Sequence, residues 1–492
     1  MRRLIISLTA FVTLYCGCHA VRQSAEMLPS SSREIPSPAL SFSLPKPEHW
    51  QLSNGLQVYF MRDEEVPQIR GRLLIRGGEL YDDSGIPGLA QATGAELRDG
   101  GIPGHPPAVL DAVLDEMGAS IESEFGKEYG SVSFFCLGED FERVFPLFAD
   151  VVRRPGFAAE RLALWKKHAA DKVRARRDEA ETIATMSFAA LVYGKEHPHA
   201  RALSESSLAK INEPSLRRFS RRFIRPDQAV LALSGALSVT RAHEAVEHAF
   251  ADWPKPDVEP QYRIPSPQPA PPGIYLLERQ FAQTTIVVGH LGPPRFTADE
   301  YPLQVFNRLF GDPGFGTMLF SEIRTRLGLA YTVYGGLWPD AGGGLFEVYL
   351  ATQAKESASA LKRVLSITHD LQSWLPELPE LEDAKQGLQR GLPFKYANAE
   401  QTVTRFAMLY VLGYPADFDE NYAARIGETA PGSLAAIARR LIRPEEVRAV
   451  VVGNVSPEAL AEATGGSTDL YRLRFNTSPE IGEKLVLPRN NR

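Results

Sequence analysis

Cysteine is scarce in this chain. Among 492 residues there are three cysteines, and two of them, Cys16 and Cys18, stand close to the N-terminus. Cys136 is the one cysteine in the body of the chain, so an internal disulfide framework is excluded. Cys136 ends the strand-like run Ser131–Cys136. This setting is more typical of a buried, inert thiol than of a catalytic nucleophile.

A surplus of basic charge and a long apolar run are missing as well. The 54 Lys and Arg residues are outnumbered by 60 Asp and Glu residues, which gives a formal net charge of -6. Because no basic surplus can neutralise phosphates, nucleic acid is not expected as a partner. Beyond the N-terminal leader no stretch of about 20 apolar residues occurs, so no membrane-spanning helix is expected in the mature protein.

The N-terminal leader has the features of an export signal. Arg2 and Arg3 form a short basic region, and Leu4–Tyr15 is a mostly apolar run without charge. Two processing sites stay open: cleavage after Ala20, or a lipoprotein-type box in which Cys18 is the lipidated residue. Either site predicts a protein of the bacterial cell envelope, periplasmic or lipid-anchored through Cys18.

Two proline-rich segments divide the rest of the chain. The first combines serine and proline without apolar periodicity, which predicts a disordered tether. The second contains eight prolines and cannot continue a helix or lie inside a sheet, so it predicts a linker between two domains. The predicted divisions are a signal peptide (1–20), the tether (21–47), an N-terminal domain (48–253), the linker (254–272) and a C-terminal domain (273–480).

The two sides of the linker carry related motifs. Arg221–Pro226 recurs as Arg439–Pro444, and Gly235–Ser238 recurs as Gly453–Ser456. The offset is the same for both pairs, since 439 − 221 = 218 and 453 − 235 = 218. A constant offset over this length indicates an internal duplication of roughly 220 residues.

Strand-like and helical patterns alternate within each half. In the first half, Gly55–Phe60, Ile69–Ile75 and Ser120–Leu137 are typical of strands, and Phe157–Arg177 is typical of an amphipathic helix. This order predicts an α+β fold of two homologous domains. Each domain is expected to be a mainly antiparallel sheet with helices packed on one face.

Several short motifs of the first half occur in the same order as in a known family. They are Asn54–Val58, Gly77–Glu79, Gly85–Ala90, Glu116–Ser120, Arg154–Phe157 and Tyr193–Pro198. On these motifs the chain resembles the insulinase/pitrilysin family of inverted zincins. With the second half included, the resemblance covers nearly all of residues 48–460. It implies that the two domains together form half of a clamshell.

The family's zinc motif is missing from its expected place. An H-x-x-E-H helix presents two zinc ligands and a general base together, because residues at i, i+3 and i+4 share one helix face. Here the corresponding residues are Gln91, Gly94 and Ala95. The family's third ligand would fall near Asp171 or Lys172, and one carboxylate alone cannot hold a catalytic zinc. The resemblance therefore implies that this chain holds no metal or other cofactor.

The second half keeps another part of the family's machinery. Residues 316–331 resemble a C-terminal signature with an Arg and a Tyr seven residues apart, and Arg324 and Tyr331 match that spacing. The resemblance implies that Tyr331 stabilises an oxyanion and that Arg324 orients the substrate backbone, beside zinc held by another chain. Arg326 is the less favoured alternative for the Arg. In a purely structural interpretation, Arg324 would pair with a carboxylate and Tyr331 would pack within a strand.

Two functions from different classes fit these observations. The first is the non-zinc-binding subunit of an envelope metallopeptidase. Such a subunit would form a heterodimer with a homologous H-x-x-E-H subunit that carries the zinc, would contact the peptide substrate, and would be inactive alone. The second is a catalytically inactive peptide-binding or scaffold protein of the same fold. The presence of Arg324 and Tyr331 favours the first function.

Overall fold

The computed structural model describes residues 42–466 and 468–486. Almost all of them belong to one compact unit, Leu44–Arg492. The predicted signal peptide, Cys18 and most of the predicted tether lie outside the described residues. Within the described part of the chain, none of the helices has the length and apolar character that crossing a bilayer requires.

The first half of the chain forms one sheet and a set of helices. The strands are β1 (Glu48–Gln51), β2 (Gln57–Arg62), β3 (Gln68–Arg76), β4 (Ser120–Phe125), β5 (Tyr129–Leu137) and β6 (Ala229–Gly235). The helices are α1 (Leu89–Asp99), α2 (Pro107–Glu116), α3 (Phe141–Arg153), α4 (Ala159–Ala175), α5 (Ala180–Tyr193), α6 (Glu205–Lys210), α7 (Glu213–Phe223) and α8 (Val239–Phe250). The sheet order among the described residues is β1-β2-β6-β3-β5-β4. Only the β2–β6 pair in this order is parallel.

The second half forms another sheet and further helices. The strands are β7 (Gly273–Glu278), β8 (Thr284–Leu291), β9 (Ala330–Trp338), β10 (Leu345–Thr352), β11 (Arg448–Gly453), β12 (Leu470–Phe475) and β13 (Pro479–Lys484). The helices are α9 (Glu300–Phe310), α10 (Ser357–Asp370), α11 (Leu378–Gly391), α12 (Ala399–Leu412), α13 (Tyr422–Gly427), α14 (Pro431–Leu441) and α15 (Pro457–Ala463), with a π-helix at Phe320–Arg326. The sheet order within the described residues is β13-β12-β7-β11-β8-β10-β9. In this order β7 is parallel to β11 and β12, and the other pairs are antiparallel.

The side-chain alternation of β3 explains why helices collect on one face of the first sheet. Successive strand residues point to opposite faces, and Ile69, Leu73 and Ile75 lie on the same face in a fully buried cluster. That cluster also contains Leu97 of α1 and Phe148 of α3. Burial of this apolar face against the helices is the main stabilising contribution to the first half. The predicted α+β class with mainly antiparallel sheets is confirmed.

The duplicated motifs form the same elements in both halves. Helix α7 and helix α14 begin 218 residues apart, since 431 − 213 = 218. Strand β6 follows the first helix and lies between the parallel strand β2 and the antiparallel strand β3. Strand β11 follows the second helix and lies between the parallel strand β7 and the antiparallel strand β8. The sequence repeat is thus a repeat of a helix and a central strand.

Each half also contributes one helix to the sheet of the other half. Helix α5 packs on β8 and β11 of the second sheet, where Phe188 meets Tyr275 and Val287 in a buried cluster. Helix α12 packs on β2, β3 and β6 of the first sheet, where Val403 meets Val230. The two helices begin 399 − 180 = 219 residues apart, close to the repeat length. This exchange of helices covers the second face of each sheet. The sequence predicted helices on one face only.

Candidate functional site

Helix α1 carries the residues that replace the zinc motif. It begins after Gly88, which has a left-handed φ of 88°. The carboxylate of Asp82 accepts hydrogen bonds from the backbone N–H groups of Gly88 and Ala90 at 2.8 and 2.9 Å. Gln91 donates from Nε2 to Oε1 of Glu79 at 2.8 Å. The degenerate motif therefore lies in a well-formed helical turn, and its first side chain has a local partner.

Gly94 stands where the family's general base would be, and strand β4 closes the space there. A Cβ built on Gly94 would lie 2.4 Å from the backbone N of Phe125 and 2.7 Å from the carbonyl C of Glu124. The hydroxyl of Ser123 also donates to the carbonyl O of Gly94 at 2.6 Å and accepts from the backbone N–H of Arg98 at 3.1 Å. The strand is thus tied into the helix, and no side chain fits at this position. The motif is degenerate in shape as well as in chemistry.

We expect Gly94→Ala to destabilise the protein by about 1–3 kcal/mol, because the new methyl group must push β4 away from α1. A matched control is Gly391→Ala at the end of α11, where a Cβ would meet no atom within 4 Å. That change should be neutral or slightly stabilising, since alanine has a higher helix propensity than glycine. Urea unfolding of both variants measures the difference. Equal stability of the two variants would contradict the close approach of β4.

Asp171, at the position of the third ligand, lies on α4 and faces solvent. Its side chain is 60% exposed and its Oδ1 is 2.5 Å from Nη2 of Arg174, which also pairs with Glu205 at 3.2 Å. Asp171 therefore belongs to a surface ion-pair network. Across residues 42–466 and 468–486, no group of three or more His, Cys, Asp or Glu side chains is arranged to hold a metal ion.

Glu96 is a buried carboxyl next to the degenerate motif. Burial raises its pKa to about 7, with a further contribution from Asp99, while Arg161 opposes the increase. Its Oε2 has no hydrogen-bond partner within the described part of the chain. Burial thus disfavours the charged form of this carboxyl.

Arg324 lies in the π-helix Phe320–Arg326 of the second half. The Cζ of its guanidinium is 4.8 Å from the ring centroid of Phe320 and 4.4 Å from that of Tyr331. Both distances fall within the range of cation–π attraction. π-helical turns are rare and occur frequently at functional sites. The structural interpretation required a carboxylate partner for Arg324, and none is found among the described residues.

Arg326, the alternative arginine, is engaged elsewhere. It forms an ion pair with Glu322, one turn earlier on the same helix. Glu322 also accepts a hydrogen bond from Nε of Arg363 at 2.7 Å. The hydrogen bond from Arg326, together with Arg363, lowers the pKa of Glu322 to about 2. Arg326 is therefore paired with Glu322, whereas Arg324 contacts the rings of Phe320 and Tyr331.

Tyr331 occupies an irregular position in the edge strand β9. Ala330 pairs with Thr352 and Thr332 pairs with Ala351, so Tyr331 is the extra residue of a β-bulge. Its side chain is 73% exposed. Bulges bend a strand and re-aim a side chain, and they are common next to active sites. Tyr331 is thus largely exposed to solvent, in contrast to the structural interpretation, which packed it within the strand.

Two phenylalanines complete the surface around Arg324 and were missed in the sequence. Phe315 is 81% exposed and contacts Phe320 edge-on, with the ring centroids 5.0 Å apart. The flanking residues Gly314 and Gly316 have φ values of 146° and 83°, which glycine adopts without strain. The placement of Phe315 between two glycines was the sequence signal that could have identified this exposed ring. We call Phe315, Phe320, Arg324 and Tyr331 the Arg–Tyr patch.

The Arg–Tyr patch has the chemistry of a peptide-recognition surface. The guanidinium offers up to five N–H donors and the phenol one O–H donor, both suited to carbonyl or carboxylate oxygens. The rings offer apolar faces on which a side chain can pack. The patch has no nucleophile or general base of its own. It can bind a carbonyl or carboxylate oxygen and stabilise negative charge, and any hydrolysis would require a second site.

Comparison with known proteins shows similarity to M16 peptidases and to zinc proteases. The family model described as the peptidase M16 inactive domain matches residues 210–388. An uncharacterised zinc protease of Mycobacterium bovis is 24% identical over 300 residues, which cover 59% of this chain and 67% of that protein. The uncharacterised zinc protease YmxG of Bacillus subtilis is 21% identical over 364 residues, which cover 73% of this chain and 86% of that protein.

Two solved structures share the fold. A crystal structure of a peptidase M16 inactive domain from Pseudomonas fluorescens has a TM-score of 0.76 and 25% identity, and it covers 83% of this chain and 98% of its own. A protease from Helicobacter pylori has a TM-score of 0.72 and 17% identity, and it covers 83% of this chain and 100% of its own. The resemblance to insulinase-type peptidases is confirmed: residues 210–388 are similar to the peptidase M16 inactive domain, and the chain shares its fold with a solved M16 inactive domain.

Proposed function

We propose that this chain is the non-zinc-binding subunit of a heteromeric M16 metallopeptidase. In this proposal a homologous subunit with an intact H-x-x-E-H helix supplies the zinc and the general base. Arg324 orients the backbone of the bound peptide, and the hydroxyl of Tyr331 donates a hydrogen bond to the oxyanion that forms beside the zinc. The two subunits enclose the peptide as the halves of a clamshell.

The observation that supports this proposal best is the contrast between the two sites. The zinc position is closed by strand β4, which leaves no room for a side chain at Gly94. The Arg–Tyr patch, by comparison, is exposed and built from two local irregularities, a π-helix under Arg324 and a β-bulge at Tyr331. Such irregular backbone is retained mainly where a side chain must be aimed. A fold maintained only as a scaffold needs neither.

The proposed location is the bacterial cell envelope, either in the periplasm or anchored by a lipid on Cys18. The support comes from the leader sequence, with two arginines followed by an apolar run. The zinc-bearing partner would share that location.

A catalytically inactive peptide-binding or scaffold protein is the second candidate. The exposed rings of Phe315 and Tyr331 could hold a peptide without any hydrolysis. This function requires no zinc-bearing partner, and the two candidates therefore differ in what accompanies the chain in the cell.

Co-purification from the native envelope separates these candidates. The full chain is tagged and isolated under mild conditions, and the eluate is examined for protein composition, zinc content and peptide cleavage. We expect a zinc-bearing homologue in the eluate, cleavage that a strong chelator abolishes, and no cleavage by the separated chain. Isolation of the chain alone, without zinc and inert, would favour the scaffold. Chelator-resistant cleavage by the separated chain would contradict both functions.

A further inference from the structure

Two adjacent hollows lie beside α12, on the face of the first sheet that this exchanged helix covers. The first hollow has a volume of about 460 Å³ and is lined by Arg72, Lys395 and Phe394, among others. The second has a volume of about 370 Å³ and is lined by Asp63, Glu65 and Gln68, among others. Asn398 and Glu400 line both hollows. They belong to a different surface from the Arg–Tyr patch.

Arg72 is the residue that indicates a ligand in the first hollow. It lies on β3 and is half-buried. The neighbouring arginine on the same face of β3, Arg70, pairs with Glu400 at 3.5 Å and stacks on Phe135 at 4.7 Å. The side chain of Arg72 has no ion pair, hydrogen bond or ring contact within residues 42–466 and 468–486. The N–H donors of this guanidinium are therefore free to bind an anionic group in the hollow.

The rest of the first hollow suits a carboxylate next to an apolar side chain. The ammonium of Lys395 lies 4.9 Å from the ring of Tyr422. Asp419, the acid that attracts Lys395, is occupied by a two-pronged ion pair with Arg405. The N-cap and first turn of α12 line the hollow, so the positive end of the helix dipole lies beside it. The 77% exposed ring of Phe394 supplies an apolar wall.

The second hollow has the opposite charge. Asp63 accepts a hydrogen bond from the backbone N–H of Glu65, and neither carboxylate has an ion-pair partner in the described part of the chain. The Arg70–Glu400 ion pair forms the ridge between the two hollows. Gln68 in the second hollow and Arg72 in the first are four residues apart on β3, which is about 13 Å along a strand.

We infer that the two hollows form one binding site for the C-terminal end of a peptide. The free α-carboxylate binds to Arg72 and Lys395, and the apolar last side chain packs on Phe394. A Lys or Arg about four residues upstream places its charge between Asp63 and Glu65. An extended peptide spans this distance with about four residues. The site functions in the chain alone, so its failure would leave the proposed partnership with a zinc-bearing subunit untouched.

The test is fluorescence anisotropy with the full chain and a labelled peptide, Lys-Ala-Ala-Ala-Leu, with a free C-terminus. We expect the C-terminal amide of the same peptide to bind about tenfold more weakly or worse, because one charge-assisted contact is lost. Arg72→Gln should weaken the free acid by a similar factor and should not weaken the amide further. Lys395→Gln should show the same pattern. Replacement of the peptide's lysine by glutamate should also weaken binding.

Arg221→Gln is the matched control, because Arg221 is an exposed arginine without an ion-pair partner among the described residues and lies away from both hollows. It removes the same charge and should leave binding unchanged. Thermal melting should be the same for Arg72→Gln and the unaltered chain, since Arg72 has no partner to lose. Equal binding of acid and amide peptides, or equal losses for Arg72→Gln and Arg221→Gln, would overturn the proposed site.

Discussion

Tyr331→Phe is expected to lower kcat/KM of the proposed two-subunit peptidase by about 10²–10³-fold. Removal of one donor to a developing oxyanion has an effect of this size in enzymes that use such donors. The change deletes one oxygen atom from a side chain that is 73% exposed, so the fold and the assembly should be unaffected. The measurement is steady-state cleavage of a quenched fluorescent peptide by complexes that contain equal amounts of zinc.

The companion variant is Arg324→Lys, which keeps the positive charge and removes the planar fork of donors. Because the proposed role of Arg324 is to orient the peptide backbone, we expect KM to rise by about tenfold or more while kcat falls less. Arg326→Gln is the control on the same π-helix, since Arg326 is already paired with Glu322. It should leave both kinetic constants nearly unchanged. Equal effects of the Arg324 and Arg326 variants would contradict the assignment of Arg324.

Much of this architecture could be predicted from the sequence because it depends on local patterns. The repeat of Arg221–Pro226 as Arg439–Pro444 identified two halves, and the structure places a helix end and a central strand at both positions. The loss of the zinc motif at Gln91–Ala95 follows from the residue types alone. The spacing of Arg324 and Tyr331 is likewise local. The structure places Cζ of the Arg324 guanidinium 4.4 Å from the ring centroid of Tyr331.

Other features depend on contacts between distant parts of the chain. Helix α5 is apolar around most of its circumference, which indicates burial but not which sheet buries it. The tight approach of Phe125 to Gly94 depends on where β4 lies relative to α1. The bulge at Tyr331 is set by its register against β10, and one-residue shifts of register leave no sequence signal of their own. The last two features determine that the zinc position is closed and that Tyr331 of the Arg–Tyr patch is exposed.

The largest effect on stability is expected from Arg225, the arginine of the first repeated motif. Its side chain is 2% exposed. Nε and Nη2 donate to the carboxylate of Asp227 at 2.5 and 2.8 Å. Nη1 donates to the carbonyl O of Val258 and Nη2 to that of Pro256, at 2.5 and 2.8 Å. One guanidinium therefore fastens the proline-rich linker to the first half and satisfies a carboxylate that is itself nearly buried.

The duplication supplies an internal control for this residue. Arg443 is its equivalent, since 443 − 225 = 218. Arg443 also donates to a carbonyl, that of Leu291 at 2.5 Å. Its side chain, however, is 37% exposed, and its ion pair with Glu446 at 3.4 Å lies at the surface. The same residue type in the same motif thus has a buried partner in one half and a solvated partner in the other.

We expect Arg225→Met to lower the free energy of unfolding by about 3–5 kcal/mol, because it leaves Asp227 charged and without its buried partner. Arg443→Met should cost only about 1 kcal/mol, since water can replace the contacts that it loses. Asp227→Asn in the Arg225→Met background should recover part of the loss, because it removes a nearly buried charge whose remaining ion-pair partner is the exposed Lys255 at 3.9 Å. Urea unfolding measures all three variants. Equal losses for the two arginines would show that burial of the ion pair does not determine its contribution to stability.

Because α5 and α12 join the halves, the loss of stability at Arg225 should appear as one shifted unfolding transition and not as separate unfolding of the first half.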